Sequence, residues 1–257
     1  MTHCARIEAR CGRCDGSLPF QSTMAFQPIV DVAQATIIAY EALVRGPEGQ
    51  TADSILAQVD DHVLYRFDQT CRVRAIELAN HLDMQQVLSI NLLPNAVYAP
   101  SSCIQATLAS AQRLGWPTQR INFEIVETEY VTDRNHLRGI IDTYREMGFT
   151  TALDDFGAGY ANLDLLTELA PDTLKLDRQL IRRIHKDSRR QAIIRAIDMM
   201  ARDLDIQLIA EGVETIDEAR WLADHGIHKQ QGFFFARPAL ERLPLVSPER
   251  FAAVKRD

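Results

Sequence analysis

The chain has 257 residues, a formal charge of −7, 46% hydrophobic and 25% charged residues, which excludes a disordered or fibrous protein and suits one domain near the roughly 250 residues of a (β/α)8 barrel. The negative balance argues against a DNA or RNA duplex as partner, because such binding needs a basic face that releases counterions. An anionic substrate would need bound cations, hence a cluster of carboxylates.

In chain order, residues 1–19 read as a cysteine-containing N-terminal segment and 20–257 as the main domain. Cys4, Cys11 and Cys14 stand close to His3, whereas Cys71 and Cys103 lie far away. Five scattered cysteines are not a secreted disulfide framework. The first three suggest a zinc or redox site, or an inert tail. The polar start, with Arg6, Glu8 and Arg10, lacks the apolar centre of a signal peptide, and no apolar run approaches the ~18 residues of a membrane span. A cytoplasmic protein without a membrane partner is expected.

From about Phe20 onward, short β-branched runs alternate with stretches of helical period, the pattern of βα units around a parallel sheet. Strands are predicted at 25–30, 36–44, 87–92, 121–126, 150–153, 173–176, 207–210 and 232–235. Helices are predicted at 63–81, 104–113, 134–147, 160–169, 189–204 and 216–225. Only residues 31–36 separate the first two strands, too few for a helical crossover, so they should pair antiparallel. The fold class is therefore α/β, a modified TIM (β/α)8 barrel whose first strand runs antiparallel to the rest. The aromatic run Phe233, Phe234 and Phe235 is read as barrel wall. The basic residues between Arg182 and Arg190 are read as a solvated face.

Each apolar run ends in a polar side chain: Glu41, Asn91, Glu124, Asp154 with Asp155, Lys175 and Glu211. Any one of these alone is commonly a solvated residue or a cap. In a closed barrel, however, the C-terminal strand ends converge on one mouth. Five carboxylates there would repel one another unless cations were bound. Oxygen donors without His or Cys suit Mg2+, Mn2+ or Ca2+ better than zinc. Asp154 and Asp155 would point to opposite faces of a regular strand, so both reach the mouth only if the chain turns, and Gly157 and Gly159 follow to permit it. So placed, the pair would hold two cations roughly 3.5–4 Å apart, as in two-metal phosphodiester hydrolysis.

These residues lie within FQPIVD (26–31), YEALVRG (40–46), SINLLP (89–94), FEIVETE (123–129), LDDFGAGYANL (153–163), PDTLKLD (171–177), AEGVET (210–215) and QGFFFARP (231–238). In these segments the chain resembles the EAL family of cyclic di-GMP phosphodiesterases. The resemblance implies hydrolysis of cyclic di-GMP to linear pGpG with two divalent cations, Mg2+ or Mn2+, and inhibition by Ca2+. It implies one cation held by Glu41, Asn91, Glu124 and Asp154, and a second shared by Asp154 and held by Asp155. Glu211 would be general base, metal ligand or both, and Lys175 would orient the attacking water. Gln27, Leu43, Arg45 and Gln231 would line the substrate cleft, and Glu127 would anchor the loop after Asp155. A homodimer is implied as well. Gly46 stands where the family commonly has Trp, and Phe233 where it has Tyr. Two alternatives remain: a non-catalytic EAL domain acting as a receptor or interaction module, and a barrel hydrolase for a different phosphodiester.

Overall fold

The computed structural model of the chain describes residues 6–7, 10–11, 16–126, 134–158 and 163–255. A small ribbon of β1 (Arg6–Ile7) and β2 (Arg10–Cys11) precedes the main sheet. That sheet contains β3 (Thr23–Asp31), β4 (Thr36–Arg45), β5 (Val87–Leu92), β6 (Ile121–Val126), β7 (Thr150–Phe156), β8 (Thr173–Leu176), β9 (Gln207–Ala210) and β10 (Lys229–Gln231). It closes through pairing of β10 with β3, and β11 (Ala239–Leu240) adds a short antiparallel stretch to β3. All neighbours from β4 to β10 are parallel, whereas β3 is antiparallel to both β4 and β10. The molecule is thus the expected eight-stranded TIM-like barrel with a reversed first strand.

The helices are α1 (Ala52–Leu56), α2 (Leu64–His81), α3 (Pro100–Cys103), α4 (Gln105–Leu114), α5 (Arg134–Glu146), α6 (Leu163–Leu169), α7 (Arg178–Ile181), α8 (Ser188–Asp203), α9 (Ile216–Asp224) and α10 (Pro248–Val254). The six helices expected from periodicity are present, although the first residues of the 160–169 prediction lie outside the described residues. The short α1, α3, α7 and α10 carry too few turns to show a period. Caps set the boundaries. The Asp187 carboxylate accepts from the N–H groups of Arg189 and Arg190 to open α8. Thr215 and Glu218 form a reciprocal capping box on α9, and Gly115 ends α4 in the left-handed region at φ 65°.

One predicted strand is corrected. The last barrel strand is Lys229–Gln231, and residues 232–235 turn away from the ladder. The cause is a close approach between two segments of the chain. The N–H of Val213 donates to the Gln231 carbonyl and the N–H of Phe234 to the Val213 carbonyl, so the segment binds the loop after β9 and leaves the sheet. Phe234 and Phe235 are buried, but Phe233 is 46% exposed. The Arg182–Arg190 stretch is mostly exposed, as a solvated face requires.

Alternation along the strands sorts the two faces. Met24, Phe26, Tyr40, Ala42, Leu88, Ile90, Ile121 and Phe123 belong to one apolar layer between barrel and helices; Leu153, Leu174, Leu176 and Ala210 belong to the layer on the other side. The opposite faces line the barrel. Ile29, Ala39 and Ile209 pack together at one level, and Asn122 bonds the Ser89 hydroxyl above them. The next inward residues on these strands are Gln27, Glu41, Asn91, Glu124, Asp154 and Glu211. The period of two therefore carries the apolar plug at the bottom into a polar ring at the top. Among the described residues, no helix is long and apolar enough to cross a membrane.

Candidate active site

The ring assembles around Lys175, the inward residue of β8, whose side chain is fully buried. Its Nζ lies 2.8 Å from Glu124 Oε2, 2.8 Å from Glu211 Oε1, 3.1 Å from Asp154 Oδ1 and 3.6 Å from Glu41 Oε2. Glu41 is held from two more directions, by Gln231 Nε2 at 2.7 Å on Oε2 and by Asn91 Nδ2 at 3.2 Å on Oε1. Register explains the meeting: Asn91 pairs with Glu124 across β5 and β6, and Glu41 with Gln27 across β4 and β3. The amide oxygen of Asn91 takes no part in its bond to Glu41.

The vicinal aspartates reach one site through a bulge. Across β7 and β8, Leu153 pairs with Leu174 and Phe156 with Leu176, so Asp154 and Asp155 together stand opposite Lys175. Asp155 itself adopts φ 56°, a left-handed conformation that aspartate tolerates better than most residues, and Gly157 follows at φ 94°. The turn anticipated after the pair therefore begins within it. The N–H of Asp155 donates to Asp154 Oδ1 at 2.8 Å, which fixes one oxygen of the neighbouring carboxylate.

Two triplets of carboxylates result: Glu41, Glu124 and Asp154, and then Asp154, Asp155 and Glu211. Within each, one oxygen per residue lies within 4.8 Å of the others. Five carboxylates face a single ammonium, an excess of negative charge that burial makes costly. Burial, with Glu41 and Asp154 adding to it against the pull of Lys175, pushes the Glu124 carboxyl up to about 8. Burial, then the charges of Asp154 and Asp177, push Asp155 up to about 6. Burial raises Glu211 well above the usual carboxylate range even beside Lys175. Lys175 is raised as well, but for the opposite reason: burial opposes its charge, yet Asp154, Glu124, Glu211 and Glu41 outweigh burial and hold it protonated. Glu124 Oε1, on a fully buried residue, has no hydrogen-bond partner. An orphaned carboxylate oxygen beside crowded acids, with only oxygen donors around it, fits a hard divalent cation.

Two cavities flank the ring and share Glu41, Asp155 and Glu211. One, of about 190 Å3, is polar, with Gln27, Gln231, Asp177, Arg178, Glu214 and Phe233 in its wall. The other, of about 360 Å3, is walled by Leu43, Val44, Leu56, Phe67 and Leu93 and reaches Asn91 and Asp154. Of the residues expected in a substrate cleft, Gln27, Gln231 and Leu43 line these cavities. Arg45 lines neither, because its guanidinium bonds back to the Val44 carbonyl at 2.7 Å. Glu127 lies outside the described residues, as do Cys4, Cys14 and residues 159–162. Asp177 and Arg178 were not singled out from the sequence, although Asp177 closes the PDTLKLD segment and Arg178 follows it; Asp68 carried no signal, since a carboxylate within a helix reads as solvated.

The comparisons with known proteins place the chain in a family. A model of the EAL domain matches residues 20–238, and the chain belongs to the EAL domain family. It is 33% identical over 239 residues to the blue light- and temperature-regulated antirepressor BluF of Escherichia coli, covering 92% of this chain and 59% of BluF. It is 30% identical over 245 residues to the cyclic di-GMP phosphodiesterase NbdA of Pseudomonas aeruginosa, covering 90% of this chain and 30% of NbdA. The chain thus spans less than two thirds of the length of these curated relatives. Among solved structures, a standalone EAL protein from Vibrio cholerae O395 in its c-di-GMP-bound form superposes with TM-score 0.88 at 47% identity, over 91% of this chain and 99% of that one. The manganese and cyclic di-GMP complex of Klebsiella pneumoniae BlrP1 at pH 9.0 gives TM-score 0.81 at 37% identity, over 87% of this chain and 58% of that one.

Proposed function

We propose that this chain is a cyclic di-GMP phosphodiesterase that opens the cyclic dinucleotide to linear pGpG. The observation that carries the reading is the ring itself: Glu41, Asn91, Glu124, Asp154, Asp155, Lys175 and Glu211 are all present at one barrel mouth, with Glu124 Oε1 buried and unpartnered. In this reading Glu41, Asn91, Glu124 and Asp154 hold one divalent cation, and Asp154, Asp155 and Glu211 hold a second, Mg2+ or Mn2+ in each case. Such cations, when bound, polarise a phosphoryl oxygen and lower the pKa of water. A second charge at Asp155 and Glu211 would also draw these two carboxyls back to their ionised forms.

The chain's own groups supply the rest. Glu211 touches Lys175 and opens onto both cavities, so once ionised it is placed to accept the proton of the attacking water. Lys175 is a fixed positive charge that balances the negative charge developing on the phosphate without having to reorganise. Gln231 donates to Glu41 and Gln27, which leaves its own buried oxygen available as an acceptor for a substrate N–H or O–H. Two cavities meeting at the ring suit a dinucleotide with one base on each side of the scissile phosphate. Arg45 would have to release Val44 to reach a phosphate. A homodimer, inferred from resemblance, is checked by light scattering of the purified chain.

The deciding experiment incubates purified protein with cyclic di-GMP and Mn2+ or Mg2+ and separates the products. Wild type is expected to yield pGpG and Glu211→Ala to lose at least ~100-fold in rate. The BluF similarity supports a second reading, an EAL domain that regulates without hydrolysis. Binding of cyclic di-GMP with no pGpG formed would establish that reading and overturn the first.

A further inference from the structure

We propose that the buried Asp68–Arg72 pair is a positioning device for Asn91, tying the ligand-bearing end of β5 to helix α2. The inference rests on the cation site proposed above. Asp68 and Arg72 lie one turn apart on α2, each side chain is 1% exposed, and Nη2 meets Oδ2 at 2.8 Å. The other carboxylate oxygen, Oδ1, accepts from the backbone N–H of Leu93 at 3.2 Å. Leu93 is the first residue beyond β5 and stands two positions after Asn91.

That bond matters because the β5 ladder ends there. Asn91 and Leu92 still pair with Glu124 and Ile125 of β6, but Leu93 has left the strand. Asp68 takes over the backbone at the point where the sheet stops holding it. Arg72 keeps the carboxylate in place, because its Nη1 donates to Thr107 Oγ1 at 3.2 Å and its Nη2 to the Cys103 carbonyl at 3.3 Å. One ion pair therefore joins α2, the end of β5, α3 and α4. Asn91 in turn donates to Glu41, so a displaced β5 end would disturb two of the proposed ligands together.

Stability alone does not account for the pair. Apolar residues of similar size in place of a buried ion pair are often neutral or stabilising. The surroundings, including Phe67, Ile90 and Leu92 in the same cavity wall, would accept them. An apolar replacement would lose the acceptor for Leu93 as well as the Arg72 bonds to Thr107 and the Cys103 carbonyl, and the first of these losses falls beside Asn91. Bonds one step behind metal ligands are typically worth about 10–100-fold in metal affinity.

The test measures Mn2+ binding to the full chain by calorimetry, alongside thermal unfolding without metal. The double variant Asp68→Leu with Arg72→Met removes both charges and the acceptor. It is expected to remain folded, with a midpoint set by the lost charges against the lost bonds to Leu93, Thr107 and Cys103, while Mn2+ affinity falls about 10–100-fold. A folded double variant that binds Mn2+ as tightly as wild type overturns the proposal. Should it fail to fold, Asp68→Asn and Asp68→Ala decide, since both take the carboxylate from Arg72 and only the first keeps an acceptor for Leu93. Weaker Mn2+ binding by Asp68→Ala supports positioning, and equal binding refutes it. Wild type that binds no Mn2+ at all has a different signature: it removes the cation site, and the positioning role with it.

Discussion

Glu124 shows how a single residue links charge, stability and pH. In the unfolded chain its carboxyl titrates near the usual ~4.3, whereas in the metal-free native state burial carries it to about 8. Between those values the native state binds more protons than the unfolded state, so stability is greatest below the lower value and falls as pH rises through the higher one. Asp155 and Glu211, also raised, add to the same slope, while Lys175, raised above its usual range, contributes only at alkaline pH. Denaturant unfolding in chelator is therefore expected to give lower stability at pH 8 than at pH 5. Glu124→Gln should flatten that dependence in part, because it removes one of the three titrating groups, and should weaken Mn2+ binding. An unchanged slope in Glu124→Gln would show that the carboxyl is ionised throughout.

Among the elements, the junction of β10 with the loop after β9 governs where Glu211 sits. Gly212, beside Glu211, has φ 62°, and a Cβ on Gly232 would stand 2.1 Å from the Val213 carbonyl oxygen. Backbone cannot yield as a flexible side chain would, so Gly232→Ala should cost about 1–3 kcal/mol through overpacking and push the Val213 segment away. The expected outcome is a drop in kcat larger than in Gly49→Ala, an exposed position with nothing within 4 Å of its Cβ and strain only from φ 85°. Parallel losses of stability with unchanged kcat in the Gly232 variant would separate the loop from Glu211. Glu218 supports the same loop: its carboxylate accepts from the N–H groups of Arg183, Glu214 and Thr215. Burial alone would raise its pKa, but these bonds hold it below the usual range. The strand prediction at 232–235 failed at this junction. Three consecutive aromatics satisfy β propensity, and nothing local reveals that Gly232 must meet Val213.

For the whole molecule, the ring joins residues from β3 to β10, so cation binding should tighten the entire barrel. A cation present at 100 times its Kd stabilises the native state by about 2.7 kcal/mol. Thermal unfolding with Mn2+ is therefore expected to shift upward by several degrees and to return to the starting value with chelator. No shift at millimolar Mn2+ would count against a built site. Ca2+ offers a contrast: an equal or greater shift without pGpG formation is expected if it occupies the ring but does not support hydrolysis.

How much was legible beforehand follows from the range of each cause. Strand alternation and the polar ends Glu41, Asn91, Glu124, Asp154, Lys175 and Glu211 are local facts, and the closure of a βα barrel is enough to bring such ends together. The reversed first strand was equally readable, because residues 31–36 cannot hold a crossover. The amino-acid order by itself thus determined the barrel and which polar strand ends meet at its mouth, and it carried the expectation of a hard cation there. Only the tertiary structure decided that Asp155 takes the left-handed turn, that Arg45 folds back on Val44, that Phe233 lines a cavity while its neighbours are buried, and that Asp68 reaches Leu93. Each of these depends on which backbone or side chain arrives from a distant part of the chain, and no local period or propensity carries that information.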